Sequence, residues 1–251
     1  MATRFQGKIV VVIGGSSGIG LASAKAFARE GASVVITGRD ASKSQDALHA
    51  IGHEATYYPC DISSVSQIES LFTSLRRNSG RIDILFVSAG VLAFAPVDQV
   101  TEADWDWLQN TNLKGTFFTV QKALPLMSNG SAVVLAGSTA GRQAVPTASV
   151  YGASKAGLRS LGRTFAAELL PRGIRVNVVS PGPTDTPIFA SARGLSENSV
   201  ESQRQIEIDS VPMKRMGTPD EVAAAVLFLA SDDAAFITGI EFLVAGGAAS
   251  F

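Results

Sequence analysis

Short runs of β-branched and other apolar residues alternate along the chain with longer segments in which apolar residues recur at helical spacing. Runs that are apolar on both faces are typical of strands covered by helices on each side of a sheet. The pattern predicts strands at 8–13, 33–37, 55–59, 82–88, 131–138, 174–180 and 241–245.

The intervening segments predict helical regions near 18–29, 41–50, 64–78, 101–127, 150–170 and 218–230. In the fifth region one stripe for burial is formed by Leu158, Leu161, Phe165 and Leu169. Other apolar positions lie away from that stripe, at Ala153, Ala156, Ala167 and Leu170. A second cover for this helix is therefore expected, and a neighbouring subunit is a candidate.

Regular alternation of strands and helices predicts an α/β fold with a parallel sheet and crossover helices. No shift in composition and no repeat divides the chain, so residues 1–251 are expected to form one domain. The stretch from Pro181 to Pro212 is expected to be irregular and is too long for an ordinary connection. Residues 183–216 are therefore predicted to form a substrate-binding lid, with a surface insertion as the alternative.

Composition narrows the classes of partner. The 251 residues carry a net charge of −1, whereas nucleic-acid recognition normally needs a basic face. Cys60 is the single cysteine, so no internal disulfide and no cysteine metal site is expected. The first residues lack the pattern of a signal peptide and no apolar stretch is long enough for a bilayer, so neither a signal peptide nor a membrane span is expected. These features predict a cytoplasmic protein that binds small molecules or copies of itself, without membrane, nucleic acid or metal.

The stretch GGSSGIG, residues 14–20, follows the first predicted strand and can be interpreted in two ways. As G-x-S-x-G it would be a nucleophile elbow with Ser16 as the nucleophile, which requires a histidine late in the chain. The two histidines, His49 and His53, lie early and in or beside a polar helix, where surface exposure is expected. The stretch is therefore interpreted as a phosphate cradle that opens a helix, built on Gly14, Ser16, Ser17, Gly18, Ile19 and Gly20.

The end of the second strand suggests which dinucleotide the cradle would hold. In dinucleotide-binding folds, the residue roughly 20 positions past the glycine motif contacts the adenine ribose. Here the strand ends in Gly38-Arg39. A guanidinium binds a phosphate well and no acidic side chain repels it at position 38, which favours NADP(H) over NAD(H). Asp40 would oppose this preference if its side chain turned inward.

A catalytic pair is suggested by Tyr151 and Lys155, whose spacing places both side chains on one face of a helix. A nearby ammonium would lower the pKa of the phenol and make it a usable acid and base. Ser138 follows a predicted strand, at the edge where ligands bind in open α/β sheets. Its hydroxyl is placed to bind a carbonyl or alcohol oxygen.

In these motifs the whole chain resembles the short-chain dehydrogenase/reductase family. The resemblance implies a single-domain, Rossmann-like, doubly wound fold and a catalytic tetrad of Asn112, Ser138, Tyr151 and Lys155. Tyr151 would be the general acid and base, and Lys155 would bind the nicotinamide ribose. Asn112 would hold a water. Further cofactor contacts are implied at Asp61, Ile62, Ala89, Gly90, Pro181, Gly182, Thr184 and Thr186.

The implied activity is NADP(H)-dependent hydride transfer to and from a ketone or secondary alcohol, in a homotetramer or, alternatively, a dimer. A 3-oxoacyl-thioester reductase and a sugar dehydrogenase of the same family remain open. The alternative from another class is a sensor or scaffold that binds NADP(H) without turnover. Phe94, Phe189 and Phe251 are candidates for substrate contact, although packing in the core is the expected role.

Overall fold

The fold is a seven-stranded parallel sheet with helices on both faces, in a computed structural model that describes residues 3–52 and 55–250. His53 and Phe251 lie outside the described residues. The strands are ordered β3-β2-β1-β4-β5-β6-β7 across the sheet. This arrangement confirms the predicted doubly wound α/β fold. The strands are β1 (Ile9–Ile13), β2 (Ser33–Gly38), β3 (Ala55–Pro59), β4 (Ile84–Val87), β5 (Ala132–Ala136), β6 (Arg175–Pro181) and β7 (Glu241–Val244).

Eight α-helices occur among the described residues. They are α1 (Gly18–Arg29), α2 (Ala41–Ile51), α3 (Val65–Asn78), α4 (Glu102–Gln109), α5 (Thr116–Ala123), α6 (Ser149–Leu169), α7 (Glu197–Ser210) and α8 (Pro219–Ala230). The bounds of α1, α2, α3, α6 and α8 agree with the predicted regions to within about two residues, which is the usual uncertainty of a helix end.

Two apolar layers hold the helices to the sheet, because successive side chains of a strand point to opposite faces. Val10 and Val12 of β1 pack with α1, α2 and α8 on one face. Val11 and Ile13 of the same strand pack with α3, α5 and α6 on the other face. All four side chains are fully buried, so both faces of the central strand contribute to the core.

The predicted helical region 101–127 is not one α-helix. A π-helical turn at Asn110–Gly115 separates α4 from α5, and a short 3₁₀ turn follows at Leu124–Leu126. At Gly115 a β-carbon would overlap the carbonyl oxygen of Ile62, so the backbone passes very close to the loop after β3. Such turns interrupt helices frequently at functional sites, and this one carries Asn112.

The prediction of an irregular stretch from Pro181 to Pro212 is wrong in its second half, which contains α7. The helix begins after Ser196, whose N–H donates to the Ser199 hydroxyl at 2.8 Å. Val200 and Ile208 face inward and pack near Leu92, while Ile206 is 60% exposed. The periodicity was hidden because the inward positions between them are polar.

The side of α6 that lies away from the buried stripe is partly exposed to solvent in a single chain. Ala153 and Ala167 are exposed, and Leu170, just beyond the helix, is 57% exposed. Assembly into an oligomer therefore stays a prediction. No helix in the described ranges has the length and apolarity that crossing a bilayer requires.

Candidate active site

A cleft opens at the carboxyl ends of the strands, where parallel α/β sheets bind ligands. Its empty space, including the open mouth, is about 930 Å³. Nine of the predicted site residues line it. They are Ile19, Gly90, Ser138, Tyr151, Lys155, Pro181, Gly182, Thr184 and Thr186.

Three of the four predicted catalytic side chains, Ser138, Tyr151 and Lys155, converge in this cleft. Tyr151 and Lys155 lie one turn apart on α6, and the Lys155 Nζ lies 5.7 Å from the centre of the Tyr151 ring. The Lys155 ammonium donates to the carbonyl oxygen of Ala136, at the end of β5, at 2.9 Å. Ser138 follows β5, and its Oγ accepts the N–H of Ala140 at 3.2 Å. The Ser138 hydroxyl therefore keeps its own hydrogen to donate.

The electrostatics differ from the prediction that Lys155 lowers the pKa of Tyr151. Burial, the largest cause, raises the pKa of Tyr151; the Ser138 hydroxyl opposes the rise and the charge of Glu207 adds to it. Burial also lowers the pKa of Lys155, to about 8. Desolvation disfavours the charged form of each group. In this structure desolvation is the largest cause for both groups, and for Tyr151 it favours the protonated phenol.

Asn112 is fully buried, and its side chain binds protein atoms. Its Oδ1 accepts the N–H of Val91 at 2.8 Å, and its Nδ2 donates to the Val91 carbonyl at 2.9 Å and to the Ser154 Oγ at 3.2 Å. The amide thus fixes the segment after β4 against α6. The main-chain carbonyl of Asn112 accepts the Thr116 hydroxyl at 2.9 Å and has a second lone pair that could accept a water.

The glycine loop between β1 and α1 has the close approaches that a phosphate cradle needs. Gly14 has a φ of +80°, and a β-carbon there would lie 2.7 Å from the Cα of Ala89. At Gly20 a β-carbon would overlap the carbonyl oxygen of Gly14. Ser17 precedes α1 without capping it through its side chain, so the first amides of the helix remain available to an anion. These residues fit the pyrophosphate of a dinucleotide.

The hydrolase interpretation of the same loop finds no support. His49 is exposed on α2, where its Nδ1 contacts the carbonyl oxygen of Gln45 at 2.9 Å. Ser16 instead lies against Gly38, where a β-carbon would be 2.9 Å from the Ser16 Oγ.

The end of β2 presents a cation without an inward-facing acid. Arg39 is exposed at the strand end. The Asp40 Oδ1 accepts the N–H groups of Ser42 and Lys43 at 3.0 and 3.2 Å, and therefore caps α2. Because Gly38 is enclosed by the hydroxyls of Ser16 and Ser44, an acidic side chain has little room there.

The remaining predicted cofactor residues do not line the cleft. Gly18 lies against Thr186, and Ala89 lies against Gly14. The Asp61 Oδ1 accepts the N–H and the hydroxyl of Ser63. The Ile62 side chain is buried in the core, so contact with an adenine would have to use its main chain.

Sequence analysis missed Glu207, which lies on α7 and lines the cleft. The sequence feature that could have indicated this residue is the helical spacing of Val200, Gln203, Glu207 and Ile208, which forms one helix face with both apolar and polar residues. The phenylalanines Phe94 and Phe189 both line the cleft and pack beside it. Cys60 is buried and burial raises its pKa to about 11, as expected of a core residue. No group of three or more metal-ligating side chains is present within the described ranges.

Comparisons with known proteins show the family to which the chain belongs. A family model described as enoyl-(acyl carrier protein) reductase matches residues 13–249. An oxidoreductase of Sarocladium schorii, asL5, is 40% identical over 248 residues, covering 98% of this chain and 97% of that protein. The NADP-dependent (R)-specific alcohol dehydrogenase of Lentilactobacillus kefiri is 34% identical over 254 residues, covering 98% of each.

Solved structures also include proteins whose fold is similar to that of this chain. Levodione reductase has a TM-score of 0.93 to this chain at 30% identity, over 98% of this chain and 99% of that one. The chain therefore belongs to the short-chain dehydrogenase/reductase family, a family of oxidoreductases that use a nicotinamide cofactor.

Proposed function

We propose that this protein is an NADP(H)-dependent oxidoreductase that interconverts a ketone and a secondary alcohol, with Tyr151 as general acid and base. The observation that carries the proposal is the convergence of Ser138, Tyr151 and Lys155 in one cleft. The glycine loop that fits a pyrophosphate adjoins that cleft, since Ile19 belongs to both.

Tyr151, Ser138 and Lys155 have different roles in the proposed reaction, which follow from their protonation states and hydrogen bonds. A nicotinamide bound in the cleft would supply the hydride exchange with the substrate carbon. In reduction the protonated Tyr151 donates its proton to the carbonyl oxygen, and in oxidation the phenolate accepts one. The Ser138 hydroxyl would donate to the same substrate oxygen and orient it. Lys155 has N–H groups left after its bond to Ala136 and would bind the ribose hydroxyls.

Preference for NADP(H) is supported by the end of β2. A 2′-phosphate would meet the Arg39 guanidinium, and the one neighbouring carboxylate on the loop, Asp40, is engaged in capping α2. A carboxylate at that point would instead favour the ribose hydroxyl of NAD(H). The NADP-dependent relative from Lentilactobacillus kefiri is consistent with this preference.

The test of the function is turnover by the purified protein with NADPH and a panel of ketones that includes aryl, alkyl, cyclic, sugar and 3-oxoacyl-thioester substrates. We expect loss of the reduced-nicotinamide absorbance with at least one ketone. Tight NADPH binding without turnover of any of these classes would contradict the proposal and favour a dinucleotide-binding sensor.

Replacing Arg39 by alanine tests the assignment of the phosphate contact. We expect Arg39→Ala to weaken NADPH binding by about tenfold to a hundredfold, because a charge-assisted hydrogen bond contributes about 1.5–3 kcal/mol. NADH binding should change little. Titration of protein fluorescence with both cofactors measures the ratio of the two dissociation constants.

The matched control is Arg29→Ala, at the far end of α1, which removes an exposed arginine away from the cleft. An unchanged NADPH to NADH ratio in Arg39→Ala would show that Arg39 does not bind the phosphate.

A further inference from the structure

The cleft has a reacting end and a remote part that differ in chemistry. Ser138, Tyr151 and Lys155 supply the polar groups of the reacting end. The remaining wall is largely apolar, with side chains suited to a carbon skeleton. These side chains are Leu92, Phe94, Val145, Ile188 and Phe189.

Glu207 is the one carboxylate among the described residues that line the cleft. It lies on the inward face of α7, between the packed positions Val200 and Ile208. Its negative charge reaches the reacting end, since it raises the pKa of Tyr151. Glu207 therefore borders the space that a substrate would fill.

The carboxylate of Glu207 has an incomplete set of partners within the chain. Its Oε1 accepts one hydrogen bond, from the Nε2 of Gln203 at 2.9 Å. In the described part of the chain no lysine or arginine lies within ion-pair distance of it. The nearby Arg204, one turn before Glu207 on α7, is engaged with Asp185 at 2.7 Å.

Burial makes that position unfavourable for an unassisted carboxylate. Desolvation is the largest cause that raises the pKa of Glu207, and the bond from Gln203 opposes it. A carboxylate that has lost part of its hydration is stabilised by a further donor or by a cation. A ligand in the cleft is placed to provide them.

We propose that Glu207 is a specificity-determining residue that binds a hydrogen-bond donor, a hydroxyl or an ammonium, on the substrate away from its carbonyl carbon. The inference rests on the proposed function. The apolar wall would hold the skeleton between the two polar ends. A substrate with a carboxylate in place of the donor would be repelled by the same charge.

The experiment compares ketones of matched skeleton, in several chain lengths, whose far end carries a methyl, hydroxyl, ammonium or carboxylate group. Wild type and Glu207→Gln are assayed with NADPH, and the readout is the kcat/KM of each polar ketone divided by that of its methyl analogue. Glutamine keeps the size of the side chain and its bond with Gln203. The control is Glu201→Gln, on the outer face of α7, where the side chain is 85% exposed.

We expect Glu207→Gln to lower the ammonium-to-methyl ratio by about tenfold to a hundredfold, the effect of losing one charge-assisted hydrogen bond. The hydroxyl ratio should fall less, and the carboxylate ratio should rise. The control should leave all three ratios unchanged.

Unchanged ratios in Glu207→Gln, with turnover present, would overturn the role of Glu207 and leave the proposed function standing. Absence of turnover in the wild type would overturn both. A fall of the ammonium ratio alone would identify a cationic substrate, and equal falls of both ratios would identify a neutral donor.

Discussion

Tyr151→Phe is expected to lower kcat/KM for ketone reduction by about a hundredfold to ten-thousandfold, the contribution of a positioned general acid. The substitution removes only the phenolic hydroxyl and leaves the ring that packs near Leu92 and Phe189. NADPH binding should change little, because the glycine loop and Arg39 are untouched. Steady-state turnover and NADPH titration on the same preparation measure the two effects separately.

Tyr58→Phe is the matched control. Its hydroxyl accepts a hydrogen bond from the Nδ2 of Asn78 at 2.6 Å, away from the cleft. That variant should keep full turnover. Full turnover in Tyr151→Phe as well would refute the assigned role of Tyr151.

Lys155→Met is expected to abolish most turnover and yet stabilise the fold at neutral pH. Lys155 is only 5% exposed, and its pKa of about 8 lies well below the ordinary value of 10.5. The unfolded chain therefore binds the proton more tightly, and the folded state is destabilised at every pH below about 8. Methionine removes that penalty but loses the bond to Ala136, so the expected net gain is about 1–3 kcal/mol at pH 7.

The direction in which the stability difference between wild type and Lys155→Met changes with pH follows from the lowered pKa of Lys155. As pH rises from about 8 towards 10.5, the folded wild type has already lost the proton while the unfolded chain still holds it. The stability of wild type relative to Lys155→Met therefore rises over that range, and the gain from the substitution shrinks. Urea unfolding at pH 7 and pH 10 measures the difference.

Lys43→Met controls for the general effect of adding a methionine, because the Lys43 side chain is 72% exposed on α2. Its unfolding free energy should differ from wild type by less than about 0.5 kcal/mol, as for most surface substitutions. A Lys155→Met variant that unfolds more easily than wild type at both pH values would contradict the prediction. It would show that interactions in the folded state compensate for the burial of the Lys155 ammonium.

The strands could be predicted because their signal is local. Ile84 to Val87 of β4 and Ala132 to Ala136 of β5 are uninterrupted apolar runs, and central parallel strands are buried on both faces. Helix α8 was equally plain, since Thr218 and Glu221 form a capping box before an apolar run.

Features that depend on distant packing escaped prediction. Helix α7 has few apolar residues, and its inward face is the one that packs with Leu92 and Phe189. The π-helical turn at Asn110–Gly115 reflects the approach of the Ile62 carbonyl and the bonds of Asn112 to Val91. In both cases the residues that decide the conformation lie on other elements of the fold.

The sequence by itself determined the sheet, the glycine loop and the pairing of Tyr151 with Lys155, because strand burial, tight turns and helical spacing are local properties. Only the tertiary structure decided that burial raises the pKa of Tyr151 and lowers that of Lys155. It also brought Glu207 into the cleft. The physical reason is that desolvation and electrostatic interactions depend on all neighbours in three dimensions. Neighbours that belong to other elements cannot be identified from the residue spacing within one element.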